Sequence, residues 1–197
     1  MKRCPWSEGF KEYRQYHDEE WGVPLRDSRM LFELLMLEGA QAGLSWATIL
    51  KKRDNYRLAF DNFDPVKIAS YKEEDQARLM NNEGIVRNSL KISGVVKGSN
   101  SYLALQALGI RFEDFVWQFV GNKPIQNFWR KLDEVPTRTF ESDNMSCALK
   151  KVGFTFVGST ICYAFMQASG MVNDHLINCP WHQIVSSTDS HLVANCN

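Results

Sequence analysis

The chain has 197 residues, of which 44% are apolar and 12% aromatic, enough to build the core of one domain, or of two tightly packed lobes, and too many for a globally disordered chain. Its 23 lysines and arginines balance 23 aspartates and glutamates, which argues against a uniformly basic nucleic-acid binder but leaves room for a local basic face built from Lys51-Lys52-Arg53 or Lys150-Lys151, clusters whose plainer reading is solvated helix surface. No apolar stretch follows the opening Met1-Lys2-Arg3, no run approaches the ~20 apolar residues of a membrane span, and the five cysteines are odd in number and scattered; a cytoplasmic protein with free thiols or a metal site is expected.

In chain order the pattern is helical nearly throughout. From Ser28 to Ala42 apolar residues fall at 31, 34, 35 and 42, with Asp27 or Ser28 placed to cap the start and Gly43 to stop the helix. Ser45 caps a second helix through Lys52. Asp64-Pro65 opens a short one, and a longer one runs from about Asn88 to Leu108, ended by Gly109. A short aromatic segment covers Phe112 to Val120. Ser142 or Asp143 caps a helix to Lys151 that Gly153 ends, and Gly158 or Ser159 starts another, ended by Gly170. No run of alternating strands and no repeat is visible, so the fold class is all-α. The segment 183–197 is polar without a clear apolar face and reads as a loosely held tail after a domain spanning 1–182.

Four groups of residues carry chemistry. Cys4 and His17 at one end, with His175 and Cys179 on one helical face at the other, are a complete set for tetrahedral structural zinc; His182 and Cys196 compete for the C-terminal places, and the plainer alternative is a satisfied buried histidine beside an inert cysteine. Within Leu31 to Ala42, Glu38 follows Leu34 and Leu35 by four and three positions and falls on the inward stripe, whereas Glu33 falls on the wetter face. A buried carboxylate must be ion-paired, protonated, or facing a ligand. Trp6, Tyr13, Tyr16, Trp21 and Trp46 crowd the same part of the chain, either as plain core or as the walls of a pocket for a flat heterocycle. Finally, Gly153 and Gly158 flank the tight apolar turn Phe154-Thr155-Phe156-Val157 ahead of a helix start, an arrangement whose free N–H groups suit a DNA phosphate; an ordinary helix connection would look the same.

The stretches Tyr16-His17-Asp18-Glu19-Glu20-Trp21-Gly22-Val23-Pro24, Leu37-Glu38-Gly39-Ala40-Gln41-Ala42-Gly43-Leu44-Ser45-Trp46, Phe154-Thr155-Phe156-Val157-Gly158-Ser159-Thr160-Ile161-Cys162-Tyr163 and Val172-Asn173-Asp174-His175 resemble, in order, the 3-methyladenine DNA glycosylase I family. The resemblance covers about residues 1–180. It implies an all-α helix-hairpin-helix glycosylase fold, with the hairpin over about 145–170, and one structural zinc ion on Cys4, His17, His175 and Cys179. It also implies a base pocket at Glu38, Tyr16 and Trp46, with Tyr13, Trp6 and Trp21 near it. Gly43 and Leu44 match the segment that enters the duplex, and Gly153 to Gly158, with Phe154, Thr155 and Val157 between them, match the phosphate-binding hairpin. The expected activity is base-excision repair: a monomer that flips 3-methyladenine out of double-stranded DNA and releases the free base by hydrolysis, without a lyase step. The alternative is a non-catalytic, zinc-stabilised helical DNA-binding module. The chain departs from the family after Cys179, at Pro180-Trp181-His182 and the tail, which leaves Cys179 the least secure ligand. Asp174, next to a metal ligand, is not assigned the catalytic aspartate's role that many members of the wider superfamily have.

Overall fold

The computed structural model describes the backbone of residues 2–193 and the side chains as far as residue 187. These residues form ten α-helices: α1 (Lys11–Glu19), α2 (Ser28–Gln41), α3 (Trp46–Ala59), α4 (Pro65–Ala69), α5 (Glu73–Met80), α6 (Ser89–Ala107), α7 (Phe112–Trp117), α8 (Phe140–Lys151), α9 (Ser159–Ala168) and α10 (Pro180–Val193). Among the described residues the expected all-helical pattern is interrupted only by two strands of two residues each, β1 (Ile125–Gln126) and β2 (Val172–Asn173), paired in parallel. Strands this short cannot display a period of two, so no alternation marks them.

Local chemistry sets most helix starts. The side chains of Asp27, Ser45, Asp64 and Asn88 accept hydrogen bonds from the first-turn N–H groups of α2, α3, α4 and α6, satisfying donors that a helix cannot satisfy itself. Helix α3 continues past Lys52 to Ala59 because Tyr56 and Ala59 prolong its buried face. Helix α8 begins earlier than Ser142: Thr139 is its cap, and Thr139 and Ser142 exchange side chain-to-backbone hydrogen bonds across the first turn.

Helix α2 is the axle of the core. Leu31, Phe32, Leu35, Met36 and Leu37 are all buried, and α3, α6, α7 and α9 pack around it, so its apolar surface nearly encircles the axis. The connection from α9 to β2 turns at Gly170, whose φ is +71° and whose missing Cβ would lie 2.4 Å from the Val23 carbonyl carbon. That close approach ties the 22–25 loop to α9, with Gly22 N–H donating to Gln167 O and Leu25 N–H to Ser169 O.

The expectation of a polar tail from residue 183 gives way to helix through Val193. Polar anchoring accounts for it: Ser186 Oγ donates to Gln126 Oε1, Asn173 Nδ2 donates to the His182 carbonyl, and among the described side chains from 183 onward Val185 is the buried apolar one. Residues 194–197, Cys196 among them, lie outside the described residues.

Candidate active site and metal centre

The five aromatic residues near the start converge on Glu38. Trp6, Tyr13, Tyr16, Trp21, Glu38 and Trp46 all line one cavity of about 360 Å³, large enough for a purine. Helix α1 supplies Tyr13 and Tyr16, α2 supplies Glu38 and Gln41, and α3 supplies Trp46 from its first position. The rings brace one another: Trp6 lies 5.1 Å from Tyr13 and 4.9 Å from Trp21, and Tyr16 lies 5.4 Å from Trp46, centroid to centroid, in the tilted and edge-on arrangements that aromatic quadrupoles prefer.

Glu38 is 3% exposed and has no ion-pair or hydrogen-bond partner among the described residues; its Oε2 and Trp46 Nε1 are both buried and unpaired. Burial alone pushes its carboxyl up to about 8, because the charged form loses hydration and gains nothing in exchange. The neighbouring tyrosines shift with it: burial first, and then the Glu38 charge, raise both Tyr13 and Tyr16. Glu33, one and a half turns away on α2, is treated oppositely. It is half-buried and bound at 2.7 Å by Arg57 Nε. Two unpaired polar groups facing one cavity are the mark of a ligand site, since buried donors and acceptors are otherwise satisfied.

The opposite wall comes from residues that the sequence did not single out as pocket residues. Thr160, Tyr163, Ala164 and Gln167 line the cavity from one face of α9, and Leu132, Val135, Pro136 and Thr137 line it from a loop. The α9 set repeats at one, four, five and eight, a helical stripe legible in the sequence; the loop residues carry no such signal. Asp174 completes the wall. Its Oδ1 accepts from Asn127 Nδ2 and Trp129 Nε1, both at 2.7 Å, and its Oδ2 from the Tyr163 hydroxyl at 2.7 Å and Gln167 Nε2 at 2.8 Å. With both oxygens doubly engaged, this carboxylate is a fixed part of the scaffold.

Behind the aromatic wall lie Cys4, His17, His175 and Cys179, all buried, with their ligating atoms within 4.8 Å of one another. Cys179 Sγ is 3.6 Å from His17 Nε2 and 3.8 Å from His175 Nδ1, which is also 3.8 Å from Cys4 Sγ. A tetrahedral zinc ion with ordinary Zn–S and Zn–N bonds separates sulfur from nitrogen by about 3.6 Å, so the donor set fits one. The far ring nitrogens are already oriented: His17 Nδ1 meets Asp18 Oδ1 at 2.8 Å, and His175 Nε2 meets the Trp21 carbonyl at 3.0 Å, the outer partners that metal-bound histidines have. Hydrogen bonding from Cys4, and then from both imidazoles, holds the Cys179 thiol far below its ordinary range, while Cys4 rises. His182, the rival of Cys179, turns away and pairs its Nε2 with the Asn127 carbonyl.

The remaining sequence candidates lie on two turns. Gly43 has a φ of +77°, and Leu44 is 43% exposed between α2 and α3. In the turn between α8 and α9, Gly153 (φ +104°) and Phe156 (φ +55°) are left-handed, Phe154 and Val157 are buried, and Thr155 Oγ1 is buried and unpaired. Gly158 offers no side-chain cap to α9. The basic clusters divide: Lys51 lies over the Phe10 ring, Lys52 binds the Glu83 carbonyl and Arg53 binds Glu20, whereas Lys150 and Lys151 are exposed beside the α8–α9 turn.

A methyladenine glycosylase family model matches residues 6–183. Among curated proteins, the chain is 52% identical over 179 residues to DNA-3-methyladenine glycosylase 1 of Escherichia coli (strain K12), covering 91% of this chain and 96% of that protein. Among solved structures it is similar to a crystal structure of 3-methyladenine DNA glycosylase I, with a TM-score of 0.90, 52% identity and coverage of 91% of this chain and 98% of that one. It is also similar to a crystal structure of a single-residue variant of 3-methyladenine DNA glycosylase I in complex with 3-methyladenine, with a TM-score of 0.87, 38% identity and coverage of 91% and 97%.

The buried carboxyl gives the fold a pH signature. Folding raises Glu38 from 4.5 to about 8, so between those values the folded chain holds a proton that the unfolded chain releases. Its contribution to stability is therefore full below pH 4.5 and falls as the pH rises to about 8, by up to about 1.4 kcal/mol per pH unit. Glu38→Gln removes this dependence. Denaturant unfolding at pH 5 and pH 8 is expected to show the variant gaining on the parent by a few kcal/mol at the higher pH, on the order of the linkage above; parallel stability curves would show that burial does not hold the proton on Glu38.

Proposed function

The chain belongs to the methyladenine glycosylase family, and on that premise we propose that it is a monofunctional base-excision repair enzyme that flips 3-methyladenine out of double-stranded DNA, seats it against Glu38 and releases it by hydrolysis, leaving an abasic site. The observation that carries the reading is Glu38 itself, an unpaired carboxyl in the wall of a ring-lined cavity. A helical module that only bound DNA would have no use for it.

Extruding a nucleotide from the stack costs a few kcal/mol. Methylation at N3 makes the adenine cationic, so the glycosidic bond is weakened before the enzyme acts: the bonding electrons pass to the base, which leaves neutral. The faces of Tyr16 and Trp46 suit a cationic ring, with Trp6, Tyr13 and Trp21 closing the rim. A cation placed before Glu38 supplies the charge that no neighbouring side chain provides and draws its pKa down from about 8. As a carboxylate it accepts a hydrogen bond from the exocyclic amine; the carbonyl oxygen of a guanine in that place would be repelled. Water adds to the anomeric carbon and gives its proton to solvent. No lysine lines the cavity among the described residues, in keeping with hydrolysis without a covalent imine.

Gly43 and Leu44, in the exposed turn that follows α2, would fill the gap left by the flipped base. The α8–α9 turn is the helix-hairpin-helix: Gly153 and Phe154 spend their N–H groups on the Lys150 and Leu149 carbonyls, so it is the backbone N–H groups from Thr155 to Gly158, at the uncapped start of α9, that would meet a phosphate, with Lys150 and Lys151 alongside. The buried side chains of Phe154 and Val157 anchor this turn, so its grip on DNA is a backbone one. Cys4, His17, His175 and Cys179 would hold one zinc ion, which supplies a cross-link between the two ends of the domain. Four protein ligands leave it no open position for water.

Glu38→Ala is expected to lower the release of free 3-methyladenine from methylated DNA by about a hundredfold or more, the scale on which a removed transition-state partner acts, with far-ultraviolet circular dichroism and metal content unchanged. Release at the parental rate would exclude Glu38 from catalysis. Metal analysis of His17→Ala, set beside its melting temperature, is expected to show zinc stoichiometry and stability falling together; undiminished metal content would remove His17 from the ligand set.

A further inference from the structure

Helix α2 ends in an unusual way. Its last carbonyls are not left to water: Lys91, in the first turn of α6, donates from Nζ to Ala40 O at 2.8 Å and to Ala42 O at 2.7 Å. The intervening chain closes on itself, with Ala42 N–H donating to Gly39 O and Leu44 N–H to Gln41 O. Each carbonyl from Gly39 to Ala42 is thus engaged, and the turn that follows, Gly43-Leu44, projects from a fixed base. The ammonium also complements the negative end of the helix dipole. Burial draws the Lys91 pKa down, as expected for a charge held against carbonyls and not in solvent.

One turn along α6 lies the second contact. At Gly94 a Cβ would stand 2.9 Å from Thr155 Oγ1 and 3.1 Å from the Phe156 ring, and at Gly39 on α2 it would stand 3.2 Å from Phe156 Cβ. The hairpin turn therefore sits directly on α6 and α2, with Phe156 in a left-handed conformation to reach them. The start of α6 touches both DNA-facing turns: Gly94 receives the hairpin, and Lys91 grips the end of α2. Neither residue lines the base cavity.

We propose that Lys91 is a positioning residue for the duplex: by pinning the last carbonyls of α2 to α6 it holds the Gly43-Leu44 turn at a fixed spacing from the phosphate-binding hairpin, so that Leu44 enters the stack while the hairpin holds the backbone. The inference rests on the reading of Gly43-Leu44 as the segment that enters DNA. A lysine that served only as a helix cap would affect stability and every function alike. One that sets the spacing of two DNA contacts affects duplex recognition and leaves the base cavity untouched.

The test compares Lys91→Met, Lys91→Arg and Leu44→Ala. Methionine keeps the apolar stem and removes the donors; arginine restores them. For each, three quantities are read: affinity for free 3-methyladenine, KM and kcat for excision from a methylated duplex, and melting temperature. Losing a charge-assisted pair of hydrogen bonds is expected to raise the duplex KM of Lys91→Met by about tenfold or more, with free-base affinity within about twofold of the parent and kcat lowered less than KM is raised. Lys91→Arg is expected to recover most of the loss, and Leu44→Ala to share the KM defect. If Lys91→Met does not fold, Lys91→Gln takes its place. A parental KM in the Lys91 variant while Leu44→Ala is defective would overturn the role of Lys91 alone; a parental KM in Leu44→Ala would overturn the intercalating turn and the proposal with it. Parallel losses of free-base and duplex affinity in Lys91→Met would make it a general structural residue, against the proposal.

Discussion

A carboxyl group kept out of water with no cation beside it is an unfavourable thing for a fold to build, and the architecture around Glu38 is arranged to keep it that way. The same helix shows the ordinary solution only five residues earlier, where Glu33 lies against Arg57. At Glu38 the neighbours are rings: Tyr16 from α1 and Trp46 from the first position of α3, themselves buried and close to one another. The energy forgone by leaving the group unpaired is available to a ligand that brings its own positive charge. A purine made cationic by methylation is such a ligand, and an unmodified purine is not. On the proposed reading, discrimination between damaged and normal bases follows from an absence, the missing counter-ion, more than from any contact made.

The Cys4, His17, His175 and Cys179 cluster is coupled to that cavity by adjacency in the chain. Tyr16 faces the cavity and His17 the cluster; Asp174 faces the cavity and His175 the cluster. Trp6 bridges the two, with its ring near both Tyr13 and His17. Drawing the two histidines together therefore draws together the two walls between which a base would lie. Asp174 in turn fixes Tyr163 and Gln167 through their hydrogen bonds to its Oδ2. On the proposed reading, a metal held by these four residues would be a fastener remote from the reacting bond, setting the width of the site without itself touching the substrate.

Much of this was legible in the sequence where local chemistry decides. Asp27 or Ser28 and Ser45 marked helix starts because a side-chain oxygen two or three residues from an N–H suffices, and Pro65 after Asp64 marked another; the cap at Asn88 emerged only with the structure. Glu38 stood out because helical spacing puts it on the stripe of Leu34 and Leu35. What stayed hidden depends on distant partners. The helix from Pro180 is held by polar contacts to Gln126, far away in sequence, and to Asn173 on the strand just before it, so no apolar stripe announces it. Asp174 reads as a neighbour of a metal ligand; its four donors come in pairs from two other segments, 127–129 and α9. The wall from Leu132 to Thr137 is a loop whose place is fixed by tertiary packing. Motif resemblance supplied the roles of Gly43-Leu44 and of the hairpin, which spacing alone leaves as ordinary helix connections.

The most direct measurement of this account is the ionisation of Glu38 in the ligand-free protein, followed by carbon-13 NMR of its side-chain carboxyl across pH 3 to 10, with Glu38→Gln to assign the resonance. The account requires a midpoint near 8, the signature of a buried and unpaired group. A midpoint near the ordinary 4.5 would mean that water or a cation already satisfies the carboxylate, and the basis for selecting a cationic base would be gone.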